Sequence, residues 1–421
     1  MIILDRTSSA AEGQLAGAGE QVNAAQGDRP HILDKETRKG IFRDTLRATV
    51  SFEFAMRLQQ GIFNNFAVEV LRIQPAELGI VRGINEIPGL LTAPLAVLAG
   101  YFRENTWAGI CILIGALGLV FYASTSTYSM LILATITFSI GFHLFYPVQS
   151  SIIMKSQLPE ERATKMGQMN SGAAAAALVS YFIVIMVTRY VSKVNYSLLH
   201  GAAAAIALVG GLLVMMRKGT STAIARRKME FNKRYMSYYT LTMLSGARRH
   251  ITMTFAGFLL VQTYKTPVST MVLLAAISSL IAIFTRPAIG RLIDSWGEQR
   301  SLMVNYLIVI PIFLSYAFIK WPLFLFAAYI VDNATGGFDV AIQTHMGKIA
   351  PHDALSNAYA MGSTMTHITG VSVPILGGFL WDVAGAPTVF LMGTCFAGVA
   401  LWFSQQLDRI ERNIKTTAVA S

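Results

Sequence analysis

The chain has 421 residues, of which 53% are hydrophobic and only 14% are charged. A soluble globular protein carries about 25% charged residues, so this composition excludes a soluble domain and predicts a membrane protein. The net charge of +11 could suit a nucleic-acid partner. Lys and Arg are concentrated in alternate loops, however, and the positive-inside rule then places both termini in the cytoplasm. We therefore expect no nucleic-acid partner.

The predicted elements begin with a polar tail, residues 1–40, which is expected to be disordered and cytoplasmic because its stretch 5–28 lacks aromatic side chains. No cleavable signal peptide is visible. Apolar segments of about the length that crosses a bilayer follow. The twelve predicted spans are 46–68, 76–102, 106–124, 128–153, 166–189, 195–216, 237–262, 267–289, 301–320, 322–347, 355–380 and 386–406.

The longest connection, 217–236, is rich in Arg and Lys and is interpreted as a basic cytoplasmic linker between two six-helix halves, 41–216 and 237–408, with a cytoplasmic tail at 409–421. An internal repeat supports the division. Gly100 and Glu104 correspond to Gly290 and Asp294 at an offset of 190 residues. Two parallel halves of this kind are typical of secondary transporters.

The loop after the eighth predicted span carries a family signature. Its sequence, Gly290-Arg-Leu-Ile-Asp294-Ser-Trp-Gly297-Glu-Gln-Arg300, resembles a cytoplasmic loop of the major facilitator superfamily. The copy in the first half is degenerate, with Glu104 in place of the Asp. The resemblance implies an all-α fold in which spans three, six, nine and twelve form a scaffold around a central cavity. It also implies gating contacts for Gly290, Asp294, Gly297, Arg300 and Glu104, although these could be ordinary loop charges.

Strong charges interrupt several predicted spans. A charge at bilayer depth costs about 3 kcal/mol or more unless it faces a partner or water, so these residues indicate a polar path. They fall in the spans that the resemblance assigns to the cavity, whereas the scaffold spans have essentially none. We expect substrate binding by Arg57, Gln60, Asn64, Tyr146, Arg248 and Arg249. We expect proton coupling by Asp332, Glu86 and His367.

Helical spacing refines these candidates. Arg57, Gln60 and Asn64 share one helix face. Arg248 and Arg249 point about 100° apart, so one faces the cavity while the other pairs with an acid such as Asp332, and the sequence leaves open which is which. Two further alternatives stay open. Arg82 and Glu86 either neutralise each other or face the cavity, and His143 either joins helices or carries protons.

The leading hypothesis is a secondary transporter that moves a small, anionic or carboxylate-bearing solute by alternating access, with proton coupling as an option. A proton-coupled drug or metabolite exporter is the first alternative, with Phe63, Phe142, Tyr146 and Phe338 as its site. A non-transporting sensor or assembly factor is the second. We expect no enzyme activity, no cofactor and no metal, because nucleotide-binding loops and Cys/His metal spacings are absent. The expected partners are the lipid bilayer and the solute, for a monomer in the bacterial inner membrane.

Overall fold

The computed structural model describes residues 33–92, 101–191, 193–216 and 231–409, and almost all of them are helical. Within these ranges, three short turns of other helix types accompany the α-helices. The α-helices are α1 Lys35–Glu69, α2 Pro75–Leu90, α3 Glu104–Ser124, α4 Tyr128–Ser156, α5 Pro159–Tyr190, α6 Tyr196–Met215, α7 Met236–Ile251, α8 Gly257–Gln262, α9 Val268–Phe318, α10 Pro322–Thr335, α11 Val340–Ile349, α12 His352–Ala384 and α13 Ala386–Ser404.

Helix α1 begins well before the predicted span, at Lys35. Asp34 caps it by accepting hydrogen bonds from the hydroxyl and backbone amide of Thr37. These two bonds lower the pKa of the Asp34 carboxyl. The predicted disordered tail is therefore wrong for residues 35–40. Its remainder up to residue 32, most of the predicted linker (217–230) and the tail beyond residue 409 lie outside the described residues.

Three breaks divide the second half. A π-helical turn, Thr252–Ala256, separates α7 from α8, and a 3₁₀ turn, Gly336–Asp339, separates α10 from α11. Gly297, at φ +80°, interrupts α9 between the predicted eighth and ninth spans. Glycine alone adopts this conformation without strain. Local departures from α-helix often mark functional positions, and the first two breaks lie beside the mid-span charges.

Seven of the described helices are long and apolar enough to cross a membrane: α3, α4, α5, α6, α9, α12 and α13. Several other helices have fewer than the 18 residues that a membrane-crossing helix needs, such as α2 with 16 residues and α10 with 14. The all-helical membrane fold is therefore confirmed, whereas the number twelve and the sidedness of the termini stay predictions.

The two halves meet most closely along α2 and α12. Gly79 and Gly83 of α2 are spaced as in a GxxxG motif, which lets helix backbones approach. A Cβ atom on Gly79 would lie 2.2 Å from the Pro374 carbonyl oxygen, and one on Gly83 would lie 2.7 Å from that of Val371. Nearby, the Ala76 amide donates to Asp382 (3.2 Å). The halves are thus closed together at the end where α2 begins.

The predicted scaffold helices are not free of polar groups. His200 on α6 and Asn305 in α9 are both fully buried. Neither has a hydrogen-bond partner for its side-chain nitrogen and oxygen atoms among the described residues. His200 instead stacks on Tyr122, with ring centroids 5.3 Å apart. The scaffold spans thus carry polar side chains near their beginnings, although the strong charges fall in the other spans.

Candidate functional site

A cavity of about 410 Å³ lies between the two halves. Three predicted substrate residues of α1, namely Arg57, Gln60 and Asn64, line it together. Other helices add charges: the carboxylate, imidazole and guanidinium groups in its lining belong to Arg57, Arg82, Glu86, His250 and Arg286. The central cavity is thus rich in guanidinium groups, with a single carboxylate, Glu86, in its lining.

Arg57 is held by its own helix. Its Nε atom lies 3.2 Å from Glu53 Oε2, and one terminal nitrogen donates to Gln60 Oε1 at 3.2 Å. Tyr146 donates its hydroxyl to Glu53 Oε1 at 2.5 Å. Tyr146, predicted as a substrate residue, therefore contacts the carboxylate that positions Arg57. Its effect on a solute would pass through that ion pair.

Arg82 has a different environment. One of its terminal nitrogens donates a weak hydrogen bond to Asn64 Oδ1 at 3.4 Å, and its guanidinium lies 4.0 Å from the centre of the Phe63 ring. Its Nε atom is buried without a hydrogen-bond partner. No carboxylate within the described ranges forms an ion pair with it, because Glu86 Oε2 contacts His367 Nδ1 at 2.9 Å instead. The structure thus disfavours mutual neutralisation of Arg82 and Glu86.

The second half contains a further cavity of about 470 Å³, lined by residues of α7, α11 and α12 and by Asp339. Arg249 lines this cavity, with a side chain that is 44% exposed and lies 3.8 Å from Asp339. Arg248 is 3% exposed and lies 3.5 Å from Asp332 and 3.7 Å from Asp339. Arg249 thus faces this second cavity and is absent from the lining of the central one, while Arg248 pairs with the acids.

The three predicted proton-coupling residues fall in two places. Asp332 is buried against Arg248, and its second oxygen, Oδ2, has no hydrogen-bond partner in the described part of the chain. Glu86 and His367 contact each other across the boundary between the halves. His143 lies beside them, with its Nε2 atom 4.0 Å from Glu86 Oε2.

The predicted gating loop forms different contacts from those expected. Asp294 and Arg300 are exposed and form no ion pair among the residues described. The neighbouring Glu298 pairs with Lys348 at 2.6 Å. In the first half, Glu104 pairs with Lys155 at 2.7 Å. In its ion pair Glu104 therefore resembles Glu298, and not Asp294, with which the sequence repeat aligns it.

Within the loop, Gly297 supplies the turn, while Gly290 has open space where a side chain would point. The gating role of Asp294 stays a prediction.

Sequence reasoning missed several residues of the two cavities. Arg286 lies in the predicted span 267–289 and Asp339 in the predicted span 322–347, and neither is among the predicted site residues. Tyr181 and Tyr329 line the central cavity but carry no charge that would distinguish them from packing residues. Asp339 and Arg286 gave a usable signal, since each is a charge in an apolar segment.

The chain resembles known membrane transporters. A sequence model of the Major Facilitator Superfamily matches residues 48–331 and 238–418. A curated relative, the multi-drug resistance efflux pump PmrA homolog of Lactococcus lactis subsp. lactis (strain IL1403), is 20% identical over 252 residues, 56% of this chain and 62% of that protein. The alignment thus spans less than two thirds of that relative.

Solved structures show the same fold. The nucleoside transporter NupG superposes with a TM-score of 0.70 at 15% identity, covering 88% of this chain and 98% of that one. A bacterial homolog of the human lysosomal transporter Spinster, inward-facing and unoccupied, gives 0.71 at 15% identity, covering 91% and 99%. A D-xylose–proton symporter gives 0.66 at 11% identity, covering 87% and 97%. At these identities the likeness shows the fold alone.

Proposed function

Because the chain belongs to the major facilitator superfamily and is therefore a membrane transporter and not an enzyme, we propose that its solute is a small anion that bears a carboxylate. The observation that carries this proposal is Arg82, a guanidinium in the central cavity that has no carboxylate partner within the described ranges. A buried arginine without a counter-ion is unfavourable. A solute carboxylate would supply both the charge and the paired acceptors that a guanidinium binds best.

The neighbours of Arg82 suit such a ligand. Asn64 offers an amide beside the guanidinium, and Arg57 and Arg286 add positive charge to the same cavity. The Phe63 ring packs against the Arg82 guanidinium, and this contact fixes the plane of the guanidinium. Arg248 and Tyr146 act indirectly in this proposal, by holding Asp332 and Glu53. Arg249 would contact the solute in the second cavity while the solute moves to or from the central cavity.

The test is solute binding by purified protein in detergent or nanodiscs, with thermal shift and calorimetry against a panel of mono- and dicarboxylates, nucleosides and sugars. We expect a carboxylate to stabilise the wild type and Arg82→Gln to weaken its Kd by at least about tenfold, the loss of one charged hydrogen-bond pair. Arg189→Gln, at an exposed arginine near the end of α5, is the matched control. Unchanged carboxylate binding in Arg82→Gln contradicts the proposal.

We further propose that the twelve predicted spans and two cytoplasmic termini are correct and that the described conformation is inward-facing. The closed α2–α12 end would then be the outer one, because α1 runs from the basic N-terminal region to that end. Single cysteines at Arg189 and Arg162, in a protein whose own Cys111 and Cys395 are replaced by Ala, test the topology. An impermeant maleimide added to intact cells should label position 189 and spare position 162.

Proton coupling is proposed for Asp332. Arg248 lies between Asp332 and Asp339 at similar distances, so a shift of Arg248 towards Asp339 would leave Asp332 to take up a proton. In proteoliposomes with a pH gradient, Asp332→Asn should abolish uptake driven by the gradient and retain exchange of solute at equal pH. Loss of both activities, or of neither, contradicts the role of Asp332.

Export of a drug or metabolite is the second candidate, and the likeness to the efflux pump relative favours it. In that case the aromatic residues Phe63, Phe142 and Tyr329 would bind an apolar solute and Arg82 would serve packing. A cell-based efflux assay with cationic dyes separates the candidates. Phe142→Ala should impair dye efflux if the exporter hypothesis is correct, whereas Arg82→Gln should leave it unchanged.

A further inference from the structure

Four ionisable side chains from four helices converge beside the central cavity, near the boundary between the halves. Glu86 of α2 and His143 of α4 come from the first half, and His250 of α7 and His367 of α12 come from the second. Glu86 Oε2 lies 2.9 Å from His367 Nδ1 and 4.0 Å from His143 Nε2. One ligand atom from each of these three residues lies within 4.8 Å of the other two. These four residues are called the Glu–His cluster below.

The tautomer of His143 follows from its hydrogen bonds. Its Nδ1 atom lies 3.1 Å from the backbone oxygen of Ser139, which can only accept, and 2.9 Å from Ser139 Oγ, which donates its own proton to the backbone oxygen of Asn85. Nδ1 therefore carries the proton, and the neutral ring presents the Nε2 lone pair to Glu86. Two acceptors 4.0 Å apart repel each other unless a proton or a metal cation lies between them. An imidazole that donates its other N–H to a backbone carbonyl is also the usual arrangement of a metal ligand.

Two glycines leave space for the Glu–His cluster. A Cβ atom on Gly89 would lie 2.5 Å from His367 Nδ1 and 2.8 Å from His143 Nε2. A Cβ atom on Gly370 would lie 2.8 Å from both Glu86 Cγ and His250 Nε2. Any other residue at either position would displace these side chains. His250 is 6% exposed, and its Nε2 atom has no hydrogen-bond partner in the described part of the chain. The fourth side chain thus also faces the cluster with an unused ligand atom.

We propose that the Glu–His cluster is a binding site for a divalent transition metal such as Zn²⁺. Imidazole nitrogen and carboxylate oxygen are ligands that Zn²⁺ binds at about 2.0–2.2 Å in a tetrahedral arrangement. Ca²⁺ and Mg²⁺ prefer sites made wholly of oxygen atoms. Glu86, His143 and His367 supply three ligands, and His250 supplies the fourth after a small movement. The chain has seven histidines in all, so this one point holds a large share of them.

The position of the metal gives it a regulatory effect. Its ligands belong to both halves, and two of them lie on α2 and α12, the helices that close the molecule at one end. Alternating access requires those helices to separate. A bound metal would hold them together, because separation would break at least one metal–ligand bond. Zn²⁺ is therefore expected to inhibit transport by fixing the closed end.

The first experiment measures metal binding directly, with protein purified on a tag that contains no histidine. Isothermal titration with Zn²⁺ should give one site, and Glu86→Gln, His143→Ala and His367→Ala should each weaken its Kd by about tenfold or more. His200→Phe, which replaces a buried histidine outside the cluster, is the matched control and should bind as the wild type does. Thermal unfolding without metal checks that each variant is folded. Absence of a stoichiometric site, or equal binding by all variants, overturns the proposal.

The second experiment tests the effect on conformation and needs no knowledge of the solute. Cysteines at Ala76 and Asp382, which lie in contact at the closed end, are introduced after replacement of Cys111 and Cys395 by Ala. Zn²⁺ should raise the yield of a bismaleimide cross-link between them, and His367→Ala should remove that response. Binding of Zn²⁺ with no change in cross-linking, or passage of Zn²⁺ itself into proteoliposomes, contradicts the inhibitory role.

Discussion

The two halves of the molecule contain similar interior charges but arrange them differently. In the second half, Arg248 and Arg249 both lie near acids supplied by other segments, Asp332 and Asp339. In the first half, the acid beside Arg57 belongs to its own helix, and Arg82 has no carboxylate partner within the described ranges. The second half therefore pairs Arg248 and Arg249 with its own acids, while the first half leaves the Arg82 guanidinium available to a ligand.

The ends of the halves, by contrast, are alike. Glu104 pairs with Lys155 at 2.7 Å, and Glu298 pairs with Lys348 at 2.6 Å, in each case between a residue just before one predicted span and a residue just after the next. The two halves thus share these ion pairs next to the loops, but they do not share the contacts around the cavities. The difference indicates that the repeated residues build the helical framework and that the residues without a counterpart in the other half determine which solute binds.

The largest expected effect comes from removing Arg248, which pairs with two acids of the second half. Arg248→Leu leaves the buried Asp332 and the partly buried Asp339 with weakened charge compensation. We expect a loss of about 3–5 kcal/mol of stability, as found when one partner of a buried ion pair is removed. The free energy of unfolding, determined in mixed micelles, measures this loss. The double variant with Asp332→Leu should recover most of the loss. In contrast, Arg82→Gln should leave stability unchanged or higher, because it removes an uncompensated charge.

If Arg82→Gln destabilised the protein as much as Arg248→Leu does, the first half would also depend on its arginine for folding. The proposed availability of Arg82 to a solute would then lose its basis.

The sequence predicted the fold far better than the contacts. Apolar segments and the Gly297 loop suffice for the superfamily, because bilayer crossing constrains length and composition at every span. Pairings between helices leave no such local signal. Arg82 and Glu86 have the spacing of a helical ion pair, yet Glu86 contacts His367, which is 281 residues away. The metal hypothesis was invisible for the same reason, since each ligand comes from a different helix and no short spacing connects them.

The repeat does not show which acid of each loop forms an ion pair. Glu104 and Asp294 align at a constant offset from Gly100 and Gly290, but the helix after Gly297 starts with Glu298, and the acid at that start is the one that contacts Lys348. Sequence offsets follow the chain through loops, whereas ion pairs depend on where helices begin.

A smaller effect would test the likeness of the two ends. Lys155 and Lys348 are 37% and 50% exposed, so solvent weakens both ion pairs. Double-mutant cycles with Glu104→Gln and Lys155→Met, and with Glu298→Gln and Lys348→Met, should give coupling energies of about 0.5–1 kcal/mol each. Similar values support a repeated frame. A coupling energy confined to one half would show that the resemblance of the ends is geometric only.

The smallest effect concerns Arg249, the cavity-facing arginine of the second half. Its partner Asp339 also contacts Arg248, so Arg249→Gln leaves that acid partly compensated and should change stability little. If the solute binds at Arg82, removing Arg249 should weaken the Kd for a carboxylate by no more than roughly threefold, well below the loss in Arg82→Gln. Parallel calorimetry on the two variants measures the contrast. An equal or larger effect of Arg249→Gln would move the anion site into the second half, since the solute would then replace Asp339 as the partner of Arg249.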